Sequence, residues 1–439
     1  MKIAFLGIVL LAASTHVPAG VVPSPDTLGG LRRAASLGVA LDPSADRPTI
    51  AAVGPGSAAE RMGLRAQDLI QSVDRKEIDG TASLLAALRA KRAGDALSLV
   101  ARRGGETLTL AGTLAAPPLE NQAEYDIEYR SFAIDGARRR AIVTRPRMGG
   151  KRPAVLLIGG IGCYSLDGLL RPSELREPYA KLLDSLTRAG YVTMRVEKSG
   201  MGDSEGVPCA DPKADFDAEV RGFRAGLEHL EGMDAVDRRH VFIFAHSIGP
   251  LVAARIAAEH RVRGIAMAET IGTSWIEYEL TNVRRQYLLG GMPYDEVDRR
   301  ARHHQQCAHR LYVEKKRPEE IIAADKACAP ELQAPAPYTY MQQLGSLDLA
   351  SLWKRIDAPA LIFYGTADFV TDSYQHEYLR DMINSFRPGH ARYVVVDGMD
   401  HGLTLAGTQK ASLAGVPDAP VAQQVLDETL RFFNERVAS

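Results

Sequence analysis

The stretch Val241-Phe242-Ile243-Phe244-Ala245-His246-Ser247-Ile248-Gly249-Pro250 constrains the fold more than any other part of the chain. Its four leading apolar residues, dense in β-branched and aromatic types, read as a buried strand. Leu251 to Ala258 reads as a helix, and a serine stands at the junction between small residues. In so tight a turn the residues two before and two after the serine must be small, which accounts for Ala245 and Gly249. The turn lifts the Ser247 hydroxyl above the sheet, beside the N-terminus of the next helix. Backbone N–H groups there are placed to stabilise an oxyanion.

The rest of the composition narrows the partners. A formal net charge of −1 over 439 residues, with no long basic run, argues against nucleic acid or an anionic membrane. The N-terminus reads Met1-Lys2, then an apolar run from Ile3 to Ala13, then Val17-Pro18-Ala19. One positive residue, roughly ten apolar ones and a small-residue site describe a secretory signal over residues 1–19. The run falls short of the ~20 residues that span a bilayer, so no stable membrane insertion is expected after cleavage. The mature chain is expected to be exported, periplasmic or secreted.

Two segments of different character flank the proline joint Ala115-Ala116-Pro117-Pro118. The first, residues 30–116, holds Ser36-Leu37-Gly38-Val39-Ala40-Leu41, then Ile50 to Val53. Gly54-Pro55-Gly56-Ser57-Ala58-Ala59 and Gly63-Leu64-Arg65-Ala66-Gln67-Asp68-Leu69-Ile70 follow, then a helix from Ser83 to Lys91. Strands Leu97–Arg102 and Thr107–Ala111 complete it. Residues 117–124 read as a linker. From Tyr125 to the end (125–439), apolar strands alternate with amphipathic helices, which argues for a doubly wound, mostly parallel sheet. The strands are Val155–Ile158, Val192–Val196, the one bearing Ser247, Gly264–Met267, Leu361–Tyr364 and Tyr393–Val396. The helices are 174–189, 215–230 and 422–436. The alternation breaks over about 270–346, where charged helical sequence (295–316, then 318–327) reads as a cap over the site.

Export bears on the four cysteines, which allow three complete pairings. Cys163 and Cys209 both lie in loops at the carboxyl edge of the expected sheet. Cys307 and Cys328 share one helical segment. The pairs Cys163–Cys209 and Cys307–Cys328 are therefore expected.

The Leu-Gly-Val loop, the P-G-S-A-A helix start and the G-L-x-x-x-D-x-I turn resemble a PDZ domain of the bacterial type. The resemblance implies a small β-rich domain. In such domains a peptide lies as an extra strand and sets its terminal carboxylate on the loop, here Leu37, Gly38 and Val39. It also leaves open a domain that only packs against its neighbour.

Residues 125–439 resemble the α/β-hydrolases. That family's order of nucleophile, acid and histidine is matched by Ser247, by Asp368 just after Ala360-Leu361-Ile362-Phe363-Tyr364, and by His401 in the loop after Tyr393 to Val396. Leu157-Ile158-Gly159-Gly160-Ile161-Gly162 stands where the family places its oxyanion loop after the third strand. Glu197-Lys198-Ser199-Gly200-Met201-Gly202-Asp203-Ser204-Glu205-Gly206 resembles its glycine-rich loop after the fourth. The departures are Gly159 for a common histidine, and Ala245 and Pro250 for common glycines; proline in a first helical turn sacrifices no intrahelical bond.

The resemblance implies Ser247 as nucleophile, His401 as base, Asp368 as the acid orienting it, and the N–H groups of Ile161 and Ile248 as oxyanion donors. Asp372, one turn on, is the rival acid; Asp397 and Asp400 read as loop-forming or solvated. His246 reads as structural, pointing away from Ser247. His303, His304 and His309 read as a solvated cap face, not a metal site. Trp275, Tyr278 and Tyr287 either line an acyl pocket or pack the cap. Glu197 and Lys198 read as a structural pair. The leading expectation is an exported serine esterase that needs no metal or cofactor and acts on a small ester or acyl substrate. A peptidase fed by the PDZ-like groove, and a binding protein on a hydrolase scaffold, are the alternatives.

Overall fold

The computed structural model describes residues 27–171 and 177–438. The expected signal at 1–19 lies outside them, as does the expected start of the helix at Glu174. Eight strands form the central sheet: β1 Tyr125–Ile134, β2 Ala137–Pro146, β3 Arg152–Ile158, β4 Val192–Val196, β5 Val236–His246, β6 Gly264–Ala268, β7 Ala360–Gly365 and β8 Ala391–Val396. Their spatial order is β1-β2-β4-β3-β5-β6-β7-β8. β2 runs antiparallel to both β1 and β4, and all other neighbours are parallel. This is the expected mostly parallel sheet, lengthened by the hairpin β1–β2. The sequence pattern over 125–146 leaves those two strands unassigned, although Asp135 and Gly136 both take positive φ at the turn, as a two-residue hairpin requires.

Helices cover both faces, so β4 and β6 are buried at every residue. One face packs against helices Phe216–Glu231 and Gly249–Ala257, the other against Pro178–Arg188 and Gln423–Val437. Between β6 and β7 lie helices Trp275–Leu289, Tyr294–Tyr312, Pro318–Ala324 and Tyr338–Leu344, where the cap was expected. Disulfides join Cys163 to Cys209 and Cys307 to Cys328. No helix among the described residues is long and apolar enough to cross a membrane.

The N-terminal unit has its own core, built from Leu37, Ile50, Met62, Ile70, Leu84, Leu97 and Leu99 among others. Helix Ala58–Met62 is capped by the Ser57 side chain on the Glu60 N–H. Gly38 has φ +78°, and a Cβ there would lie 2.3 Å from that of Ser57, so only glycine fits. The segment 117–124 is docked on the sheet: Glu120 is buried in an ion pair with Arg195, and the Gln122 amide donates to the Leu170 carbonyl 2.6 Å away.

Further contacts tie the units together, two of them by arginine side chains. Arg33 is buried between Asp167 and Asp203, 3.0 and 2.9 Å away. Arg89, at the end of helix Thr81–Arg89, donates to the Cys163 carbonyl at 3.2 Å.

Candidate active site

Ser247 follows the last residue of β5 and precedes helix Gly249–Ala257. Its φ is +62°, a left-handed conformation that non-glycine residues adopt only at a cost of about 1–3 kcal/mol. The surroundings enforce it. The Ser247 N–H donates to the Ala268 carbonyl at 3.0 Å. A Cβ on Gly249 would fall 2.5 Å from the Ile158 carbonyl oxygen, so the small residue inferred from sequence is required by the neighbouring strand.

Three loops meet over this turn. His401 Nε2 lies 3.0 Å from Ser247 Oγ, and His401 Nδ1 lies 2.9 Å from Asp368 Oδ2. Asp368 Oδ1 accepts the Val370 and Thr371 N–H groups at 2.6 and 3.1 Å, and Oδ2 also takes the Thr371 hydroxyl. Burial alone would raise the Asp368 carboxyl. The His401 charge and the hydrogen bonds from His401, Glu269 and Thr371 outweigh it and hold Asp368 well below the usual range. An ionised Asp368 accepts from His401 Nδ1–H, which leaves the Nε2 lone pair facing the serine hydroxyl. The rival Asp372 caps helix Ser373–Phe386 and pairs with Arg285 at 2.8 Å.

A second buried acid at this corner escapes the sequence reading. Glu269 directly follows β6, has φ +50° and is fully buried. Burial, then the charge of Asp368 and a hydrogen bond to it, raise its carboxyl well above the ordinary value. Two buried carboxylates cannot both ionise at this range, so Glu269 is the neutral donor and Asp368 the anion. The one clue available was an acid immediately after a buried strand, the same placement that singled out Asp368.

His246 is buried, and both of its ring nitrogens are engaged. Its Nε2 donates to the His401 carbonyl at 2.7 Å, and its Nδ1 accepts from the Tyr179 hydroxyl at 2.6 Å. Burial, then repulsion from His401, lowers it to about 3, so it is neutral. His376 is also buried: Nε2 accepts the Thr270 N–H at 3.0 Å and Nδ1 donates to the Asp372 carbonyl at 2.7 Å, and burial lowers it to about 4.

These two histidines set an acid limit on the fold. Both have folded values below the ordinary 6.5, so the unfolded chain takes up their protons first. Their stabilisation is complete above pH 6.5 and fades as pH falls towards 4 and 3. Since a tenfold difference in proton affinity between the folded and unfolded chain amounts to ~1.4 kcal/mol, each contributes a few kcal/mol. Urea midpoints measured from pH 7 to 4 should fall more steeply for the wild type than for His376→Gln.

The oxyanion candidates flank the serine. Ile248 is the N-cap of helix Gly249–Ala257, and Ile161 follows Gly160, where an added Cβ would lie 3.3 Å from that of Ser247. Two expectations need correction. Lys198 pairs with Glu219 at 3.1 Å, not with Glu197, whose carboxylate takes the Leu166 and Asp167 N–H groups at 2.7 and 2.8 Å. His304 is not on a solvated face. It is buried between Glu279 and Glu331, 3.3 and 2.9 Å away; burial opposes its charge, but the two carboxylates prevail and raise it to about 9. Of the two readings left open for Trp275, the contacts favour cap packing, with its indole N–H directed at Glu279 and the Tyr312 hydroxyl.

Sequence relationships agree with this architecture. Residues 173–406, more than half of the chain, match the family described as serine aminopeptidase, S33, and residues 35–114 match the PDZ domain. Esterase EstD of Thermotoga maritima is 24% identical over 293 residues, which are 66% of this chain and 64% of EstD. Among solved structures, Est1E of Butyrivibrio proteoclasticus with ferulic acid bound aligns at TM-score 0.46 and 15% identity, over 71% of this chain and 100% of Est1E. The acylaminoacyl peptidase of Pyrococcus horikoshii aligns at 0.45 and 12%, over 78% of this chain and 47% of the peptidase. With its Ser247 turn, its eight-stranded sheet and its N-terminal β-rich unit, the chain belongs to the serine aminopeptidase S33 family of α/β-hydrolases and carries a PDZ domain ahead of the hydrolase fold.

Proposed function

We propose that this chain is an exported serine hydrolase that cleaves carboxylic esters through an acyl-enzyme. One observation supports this reading above the others: a single imidazole, His401, lies within hydrogen-bonding distance of both the Ser247 hydroxyl and a buried, ionised Asp368. Ser247 Oγ attacks the ester carbonyl carbon while His401 Nε2 takes its proton. The negative charge gathers on the former carbonyl oxygen, against the N–H groups of Ile248 and Ile161. Collapse breaks the carbon–oxygen bond, and the alkoxide leaves with the proton from His401. Water then repeats the cycle, and the acid is released. Asp368 stays ionised and compensates the transient imidazolium.

The relation to EstD favours an ester over an amide. Two disulfides favour an exported location. p-Nitrophenyl acetate and butyrate should be turned over well above aminoacyl-p-nitroanilides; the reverse preference would overturn the ester assignment. A second reading, a peptidase that captures its substrate by the C-terminus, draws on the N-terminal unit. Strand Val39–Leu41 pairs with Ile50–Val53 on one edge, and no described strand occupies the other. A peptide added there would set its carboxylate at Leu37, Gly38 and Val39. Under this reading, peptides with free C-termini bind and are cleaved, and amidation abolishes both.

A further inference from the structure

Lys198 sits in the glycine-rich loop after β4 with a side chain only 9% exposed. Its ammonium donates to the Gly160 carbonyl at 2.8 Å, is held by Glu219 at 3.1 Å and lies 5.4 Å from the centre of the Tyr164 ring. The Tyr164 hydroxyl donates to the same Gly160 oxygen at 2.9 Å. Two donors, one of them a cation, thus converge on one backbone carbonyl within the oxyanion loop. That convergence is more than packing requires.

The peptide bond concerned joins Gly160 to Ile161, and it is trans, since no cis peptide occurs among the described residues. In a trans peptide the C=O and N–H point to opposite sides of one rigid plane. Fixing the Gly160 carbonyl therefore fixes the direction of the Ile161 N–H. A cation on the carbonyl also draws electron density from the amide and makes its N–H a stronger donor. Little water competes at so buried a lysine, so the effect is not screened away. The plane itself lies against the serine, as the 3.3 Å approach of a Gly160 Cβ to that of Ser247 requires.

We propose that Lys198, assisted by Tyr164, is a positioning residue for the oxyanion hole: it fixes and polarises the Gly160–Ile161 peptide so that the Ile161 N–H is preset for the tetrahedral oxyanion. This rests on the reading of Ser247 as the nucleophile. The donor itself survives substitution of Lys198, so the loss is smaller than the ~10²–10³ expected for deleting a donor. Because the oxyanion exists only in the transition state, the loss falls on kcat and leaves KM almost unchanged.

Lys198→Met keeps the apolar stem and removes the cation. With p-nitrophenyl butyrate its kcat should fall about 10-fold to 100-fold, with KM within about threefold of wild type. Affinity for an alkyl boronic acid, whose tetrahedral adduct carries the oxyanion charge, should fall in parallel with kcat/KM. Tyr164→Phe should lower kcat by a smaller factor in the same pattern, and it decides the matter if Lys198→Met does not fold. Unchanged kcat, or a loss carried mainly by KM with boronate affinity intact, would overturn the proposal. A wild-type protein that neither hydrolyses the ester nor reacts with a fluorophosphonate would instead remove the nucleophile assignment, and this proposal with it.

Discussion

Ser247→Ala should abolish ester turnover, lowering kcat by ~10⁶ towards the uncatalysed background, because the covalent path is lost with the hydroxyl. The variant should keep its fold. Alanine fits the same volume, and the left-handed turn is imposed by the Ala268 carbonyl and by the backbone pressing on Gly249. A fluorophosphonate probe that labels the wild type stoichiometrically should leave Ser247→Ala unlabelled, with thermal unfolding shifted by no more than a degree or so. His401→Gln should lose nearly as much, and the double variant little more, since the two groups act as one unit. Asp368→Asn should cost ~10⁴, by presenting His401 in the wrong tautomer while leaving the loop geometry intact. Labelling of Ser247→Ala at another residue would transfer the nucleophile elsewhere.

What could be read from sequence followed how local its cause was. The serine turn was legible because its residue signature, small residues two before and two after the serine, lies within five residues from Ala245 to Gly249. The Ile158 and Ala268 carbonyls that enforce it are nonetheless distant in the chain. The order Ser247, Asp368, His401 was legible because each follows a strand that announces itself by apolar β-branched residues. The first cysteine pair was legible because both loops lie at one edge of the sheet. The second was legible only from its short separation of 21 residues. Cys307 lies in helix Tyr294–Tyr312 and Cys328 in a separate turn at Lys326–Cys328, not in one helix as expected. Hairpin β1–β2 was not, since its residues are half polar and its length obscures the two-residue turn at Asp135-Gly136. His304 misled for a related reason. Its neighbours in sequence are arginine, glutamine and a second histidine, which describe a wet face, while the carboxylates that surround it arrive from residues 279 and 331. Glu269 and Lys198 share that blindness: their chemistry depends on contacts with residues 368 and 160, far away in the chain.

Asp203→Ala should produce the largest loss of stability of any single change outside the cores, about 3–5 kcal/mol. Asp203 is 2% exposed and carries three obligations at once. Oδ2 lies 2.9 Å from Arg33 and 2.9 Å from Arg140, and Oδ1 accepts the Ala34 N–H at 2.6 Å. Both arginines are fully buried, stacked near the Tyr129 ring, whose hydroxyl is taken by Asp167 at 2.6 Å. Without Asp203, the single carboxylate of Asp167 would have to offset two guanidinium charges that water cannot reach. An uncompensated buried charge costs several kcal/mol, whereas the intact pair need not be strongly stabilising, so the penalty arises from breaking the set. Asp203→Asn, which keeps the shape and one acceptor, should lose nearly as much, separating charge from packing. The urea midpoint, followed through Trp275 and Trp353 in the hydrolase fold, should fall accordingly. The damage should also be directional. Arg33 and Ala34 lie just ahead of the Leu37-Gly38-Val39 loop, so losing their anchor should loosen the PDZ domain from the hydrolase and open residues 27–36 to limited proteolysis. Equal protease resistance in Asp203→Ala and wild type would mean that the Arg89 contact at Cys163 and the docked Glu120 hold the two units together without this cluster.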